Sequence, residues 1–85
     1  MRYGYALTKA IEKNGFTPVK LPRRAKYEVG KTYWCGYWEK SFVVEKAIPI
    51  CEGYSQEVTV LWEDGSRTTH CTTLDYMKDY ELKLA

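Results

Sequence analysis

The sequence predicts a mainly β fold, a five-stranded antiparallel barrel with a short helix or an extended arm at its N-terminus. Three observations carry that expectation. The first is the stretch Glu57 to Leu74, EVTVLWEDGSRTTHCTTL, which reads as a β-hairpin. Val58, Val60 and Trp62 alternate with Thr59, Leu61 and Glu63, the period of a half-buried strand, and Ser66 to Cys71 return after Asp64-Gly65. Asp-Gly between β-rich runs favours a two-residue type I′ turn, because both central residues need positive φ. Such a turn sets Trp62 opposite Arg67, Val60 opposite Thr69 and Val58 opposite Cys71 on the apolar face. Leu61 with Thr68 and Thr59 with His70 then share the other face.

The second observation is aromatic content. Eight Tyr, three Trp and two Phe in 85 residues supply the buried area that a small barrel otherwise lacks. The third is a charge break near Tyr27. Residues 1–26 hold seven basic side chains against Glu12 alone, a balance of +6, whereas residues 27–85 hold six basic and ten acidic, a balance of −4. The chain therefore divides into a basic extension, residues 1–26, and a barrel, residues 27–85.

Taken in order, Leu7, Ala10, Ile11 and Asn14 fall at helical spacing within residues 4–14, and Asn14-Gly15 is a C-terminal stop signal. Residues 16–26, with two prolines, are expected to be extended, lying along the barrel or serving as a linker. Thr32 to Cys35 forms the first barrel strand, and Gly36 to Lys40 a tight loop. Ser41 to Ile50 forms the second strand, with Pro49 ending its hydrogen bonding. Glu52 to Ser55 turns into the hairpin, Thr72 to Tyr76 makes one helical turn, and Asp79 to Leu84 forms the last strand. In that strand Tyr80, Leu82 and Leu84 point inward.

This pattern resembles the SH3-like barrels of the Tudor and KOW type over residues 27–84. The carriers are Glu28-Val29-Gly30 before an aromatic strand and the Val58-x-Val60-x-Trp62-x-Asp64-Gly65 hairpin ending at Leu74. Small barrels of this kind also occur among bacterial and phage proteins. In Tudor-like barrels, rings from the first loop form a cage for a methylated ammonium by cation–π attraction. Tyr37 and Trp38 sit at that loop position and Asp64 near the matching acidic one, so the resemblance implies a recognition surface there, with Tyr54 close by.

Two sites are weighed from the residues themselves. Adjacent loop aromatics such as Tyr37 and Trp38 cannot both turn inward easily, and an exposed pair of rings marks a ligand or partner surface. Lys20, Arg23, Arg24 and Lys26 fall within seven residues beside prolines, an arrangement that tracks phosphates or is simply a solvated tail. Trp34 and Trp62 read as core, Tyr33 as half-buried, Cys71 as a small core hydrophobe and His70 as a surface or edge residue.

Other classes find no support in the residues. Cys35, Cys51 and Cys71 are odd in number and lack paired spacing, which points to free thiols in a reducing compartment rather than disulfides. Neighbouring His70 and Cys71 point to opposite faces of a strand, so neither a metal nor any other cofactor is expected. No Gly-rich phosphate loop or nucleophile motif appears, hence no enzyme. No apolar run reaches membrane-spanning length, and the chain reads as a cytoplasmic monomer or weak dimer. The expectation is a non-enzymatic module binding nucleic acid through the basic arm and loop aromatics. The alternative is a protein-interaction adaptor, of phage or mobile-element type, using the aromatic loop and the acidic barrel surface.

Overall fold

The computed structural model describes residues 4–21, 26–73, 78 and 80–84. Helix α1, Tyr5–Asn14, follows the expected spacing. Leu7 is its buried residue, with Ala6, Ala10 and Ile11 on the same stripe. Gly15 ends it at φ 71°, donating its N–H to the Ile11 carbonyl at 2.9 Å. A left-handed residue is needed there, and glycine takes that conformation without a Cβ clash.

Six strands follow: β1 (Phe16–Lys20), β2 (Thr32–Cys35), β3 (Lys40–Ile50), β4 (Ser55–Trp62), β5 (Arg67–Thr73) and β6 (Tyr80–Leu84). They form one antiparallel sheet of order β1-β6-β2-β3-β4-β5. Among the described residues the protein is therefore mainly β, with one antiparallel sheet and one short N-terminal helix. The sheet has six strands rather than five because Phe16–Lys20 pairs with β6 along its whole length, Phe16 opposite Leu84 and Lys20 opposite Tyr80. Pro18 is tolerated because β1 is an edge strand. Among the described residues β1 and β5 remain the two outer strands, and the sheet does not close.

β3 contains a register shift between Val44 and Lys46, a bulge at Glu45. The extra residue lets Phe42, Val44 and then Ala47 all reach the same face, which uninterrupted alternation forbids. Glu45 is turned outward and pairs with Arg67.

The two faces of the sheet each carry a core. On the hairpin face, Tyr27, Tyr33, Cys35, Phe42, Val44, Val58, Val60 and Trp62 pack together, with Leu21 and Ala47 against them. The rings of Tyr27, Tyr33, Phe42 and Trp62 form a ladder with centroid spacings of 5.8, 5.7 and 5.1 Å. Tyr27 is clamped onto β4 at two points: its N–H donates to Gln56 Oε1 at 2.8 Å and its carbonyl accepts from Gln56 Nε2 at 3.2 Å. The buried Gln56 side chain thus spends its polar groups on backbone, which removes their burial cost. On the helix face, Leu7, Trp34 and Leu82 are buried, supported by Phe16 and Tyr80. Tyr33 and Trp34 are neighbours on β2 and serve opposite cores, so Tyr33 is fully buried rather than half-buried.

The hairpin turn and register differ from expectation. Gly65 has φ 92°, and Asp64 is not among the residues of positive φ, so the turn is not type I′. Gly65 N–H donates to the Trp62 carbonyl at 2.9 Å, and Trp62 N–H to that of Ser66 at 2.8 Å. Glu63-Asp64-Gly65 is thus a three-residue loop ending in a left-handed glycine. One added loop residue slips the register by one. Leu61 faces Arg67, Val60 faces Thr68, Thr59 faces Thr69, Val58 faces His70 and Glu57 faces Cys71. Every β5 side chain changes face. Cys71 is exposed and not core, and His70 is half-buried on the hairpin face beside Trp62.

The expected helical turn at Thr72 to Tyr76 lies partly outside the described residues; Thr72 and Thr73 belong to β5. In β6, Leu82 is buried and Tyr80 half-buried, as expected, whereas the Leu84 side chain lies outside what is described. No helix among the described residues is long and apolar enough to cross a membrane.

Candidate functional site

Both the β2–β3 loop and the β4–β5 loop emerge at one end of the sheet, and polar contacts staple them together. Ser41 N–H and Oγ–H both donate to Glu63 Oε2, at 3.2 and 3.0 Å, while Glu63 N–H donates to the Ser41 carbonyl at 3.0 Å. Lys40 Nζ contacts Asp64 Oδ2 at 3.1 Å. Asp64 Oδ1 accepts from Ser66 Oγ at 2.6 Å and from Ser66 N–H at 2.9 Å. These Ser66 donors, with Lys40 adding to them, hold the Asp64 carboxyl well below the usual carboxylate range.

From this braced end the aromatic pair projects. Tyr37 is 86% exposed and Trp38 57%, their rings meeting edge to face at 4.9 Å. The next residue, Glu39, has φ 54°. A glutamate in left-handed backbone is strained, and strain of this kind collects at functional loops.

On the hairpin face, a pocket of about 210 Å³ opens below Trp38, lined by Lys40, Trp62, Ser66, Thr68 and His70. Trp62 Nε1–H donates to Thr68 Oγ1 at 2.7 Å, and the same hydroxyl lies 2.7 Å from His70 Nε2. The imidazole stands edge to face with the indole at 6.4 Å. Trp62 is thus both the last rung of the core ladder and the floor of the pocket. On the helix face, behind the same loops, a groove of about 770 Å³ runs between α1 and the loop residues Glu39, Ser41, Glu63 and Asp64.

The structure brings Tyr37, Trp38 and Asp64 to one end. Tyr54, 65% exposed, follows the 3₁₀ turn Cys51–Gly53 at the other end of β3 and does not join them. Lys20 and Lys26 are exposed, Lys20 at the end of β1 in line with Tyr80 and Trp34. Arg23 and Arg24 lie outside the described residues. Leu21 and Tyr27, on either side of that stretch, both pack on the hairpin-face core.

Sequence reasoning missed Lys40, Ser66, Thr68 and His70. The two-residue turn assignment hid three of them, because its register puts Thr68 and His70 on the face opposite Val58 and Val60 and takes Ser66 out of the loop, whereas the observed pairing sets Thr68 and His70 beside Trp62. The signal was available: a glycine at the third position of Glu63-Asp64-Gly65 also fits a three-residue hairpin loop. Comparison of the chain with known protein families, curated proteins and solved structures finds no match.

Proposed function

We propose that the chain is a small, non-enzymatic binding module of SH3-like type that takes an unpaired nucleic-acid base at its loop end. The SH3-like part is supported by five consecutive antiparallel strands, β2 to β6, in which the first pairs with the last. The Tudor and KOW resemblance belongs with it and gives the same placement of Tyr37 and Trp38.

One observation carries the ligand reading: an exposed indole, Trp38, stands over a pocket floored by a second, Trp62, with hydroxyl and imidazole groups at its wall. Ring faces stack on any base, and Ser66, Thr68 and His70 offer hydrogen bonds to a base edge. Lys40 lies at the rim, partly neutralised by Asp64, so most phosphate attraction falls to the basic segment from Lys20 through Arg23 and Arg24 to Lys26.

The test is fluorescence anisotropy of the full chain with a short single-stranded oligonucleotide, at low and moderate salt. Truncation at Tyr27 is not a clean control, since β1 pairs with β6 and Leu7 is core. Trp38→Ala should weaken binding by about tenfold, one stacked base. Neutralising Lys20 and Lys26 should flatten the salt dependence. Undiminished binding by Trp38→Ala sinks the reading.

A second reading has its own support. Glu39, Glu63 and Asp64 surround the loop and repel phosphate, which favours an adaptor gripping a basic protein partner with Tyr37 and Trp38. Binding of a basic peptide with no oligonucleotide binding at low salt selects it.

A further inference from the structure

The helix-face groove is a separate feature whose walls carry opposite charge. Lys9 and Lys13 of α1 line one side, and Glu39, Glu63 and Asp64 of the two loops line the other. No ion pair between described residues crosses it. The floor includes Trp34 and Phe16 from the core beneath. Lysines of the helix and carboxylates of the loops thus line one groove, with Asp64 held by Lys40 and Ser66 and Glu63 accepting from Ser41.

From this we infer that the groove binds an extended protein segment whose side chains alternate acidic and basic. In an extended strand, successive side chains point to opposite sides, so acids at every second position face one wall and bases at the positions between face the other. Lys9 and Lys13 are separated by one helical turn, about 6 Å along the axis at roughly 1.5 Å per residue. Alternate side chains of a strand are spaced about 6.6 Å apart, so a segment running parallel to α1 presents an acid to each lysine. Its basic side chains then meet the acidic side, first Glu39 and then the outer edges of Glu63 and Asp64, whose carboxylates already accept from Ser41 and from Ser66 and Lys40. A nucleic acid fits badly, because its phosphates face the acidic wall.

The inference does not rest on the nucleic-acid reading, which uses the other face. It is tested by ¹⁵N NMR titration of the full chain at low ionic strength, where exposed charges are least screened. The probes are acetyl-Glu-Lys-Glu-Lys-Glu-Lys-amide and its isomer acetyl-Glu-Glu-Glu-Lys-Lys-Lys-amide, equal in composition and net charge. The alternating peptide should shift amides of α1, Glu39, Glu63 and Asp64 and bind about tenfold tighter than the block isomer. The double substitution Lys9→Glu with Lys13→Glu should remove that preference. Since a negative charge in the last turn opposes the helix dipole, Lys9→Ala with Lys13→Ala provides a second variant with the same expected loss. Equal binding of the isomers, no binding of either, or retention of the preference in both variants overturns the inference. Shifts confined to Trp38 and His70, an oligonucleotide that occupies the groove, or concentration-dependent shifts without peptide, the mark of a second copy, overturn it as well.

Discussion

The two faces of the sheet are filled in different ways. The hairpin face is packed by residues of β2, β3 and β4, joined by short loops, and capped by Tyr27 and Leu21. The helix face gathers Leu7, Trp34 and Leu82, which come from three distant parts of the chain. One core is built from an aromatic ladder with many mutual contacts. The other is a single leucine on a short helix closing over a tryptophan and one leucine of β6. The lesson is that the hairpin face should set global stability, and the helix face should open at lower cost.

The sharpest break is Trp62→Ala, which removes the ladder's last rung and should cost about 3–5 kcal/mol by chemical denaturation. A loss below about 1 kcal/mol, with binding abolished, would instead make Trp62 a site residue carried by the fold rather than part of its core. Leu7→Ala should cost less, about 2 kcal/mol, because the thinner helix face relaxes more readily around the gap. Hydrogen exchange should show α1 and β1 opening before β3 and β4; equal protection would erase the distinction between the faces.

Gly65→Ala should cost about 1–2 kcal/mol, since φ 92° is disfavoured for an L side chain although open space surrounds the added carbon. Acid should act on the hairpin side through Asp64 and Glu45. Ser66 lowers the Asp64 pKa and Arg67 that of Glu45. Groups with depressed pKa contribute stability above their unfolded values, near 4, and lose it as pH falls through the folded ones. The melting midpoint should therefore drop on acidification below about pH 4.5, and Asp64→Asn with Glu45→Gln should flatten that drop. A smaller gain, about 0.5–1 kcal/mol, is expected from Glu52→Gly, whose φ of 56° lies in the left-handed region. No change in melting midpoint would show that this connection stores no strain.

The hairpin face was readable because its signals are local. Alternation through Val58, Val60 and Trp62, the loop at Gly36 and the helix stop at Asn14-Gly15 each depend on a few neighbouring residues. The faults lie where two local solutions compete or where contacts are distant. Asp64-Gly65 suits both a two-residue and a three-residue loop, and choosing wrongly moved Thr68, His70 and Cys71 to opposite faces. Pairing of Phe16–Lys20 with β6 spans most of the chain and leaves no mark in either segment's pattern. Gln56 reads as an ordinary polar strand residue; only the fold reveals its clamp on Tyr27. Tyr37 and Trp38 were correctly expected on the surface, because adjacent rings on a tight loop cannot both turn inward.

The pairing of β1 with β6 also governs how the molecule yields to force. Phe16 sits opposite Leu84, so tension entering the sheet from the two flanks of the chain is applied at adjacent points of one antiparallel pair. Loaded this way, the hydrogen bonds break one after another, like a zip, rather than sharing the strain. The domain should give way at low force from its β1 edge, while the aromatic ladder on the far strands is still intact.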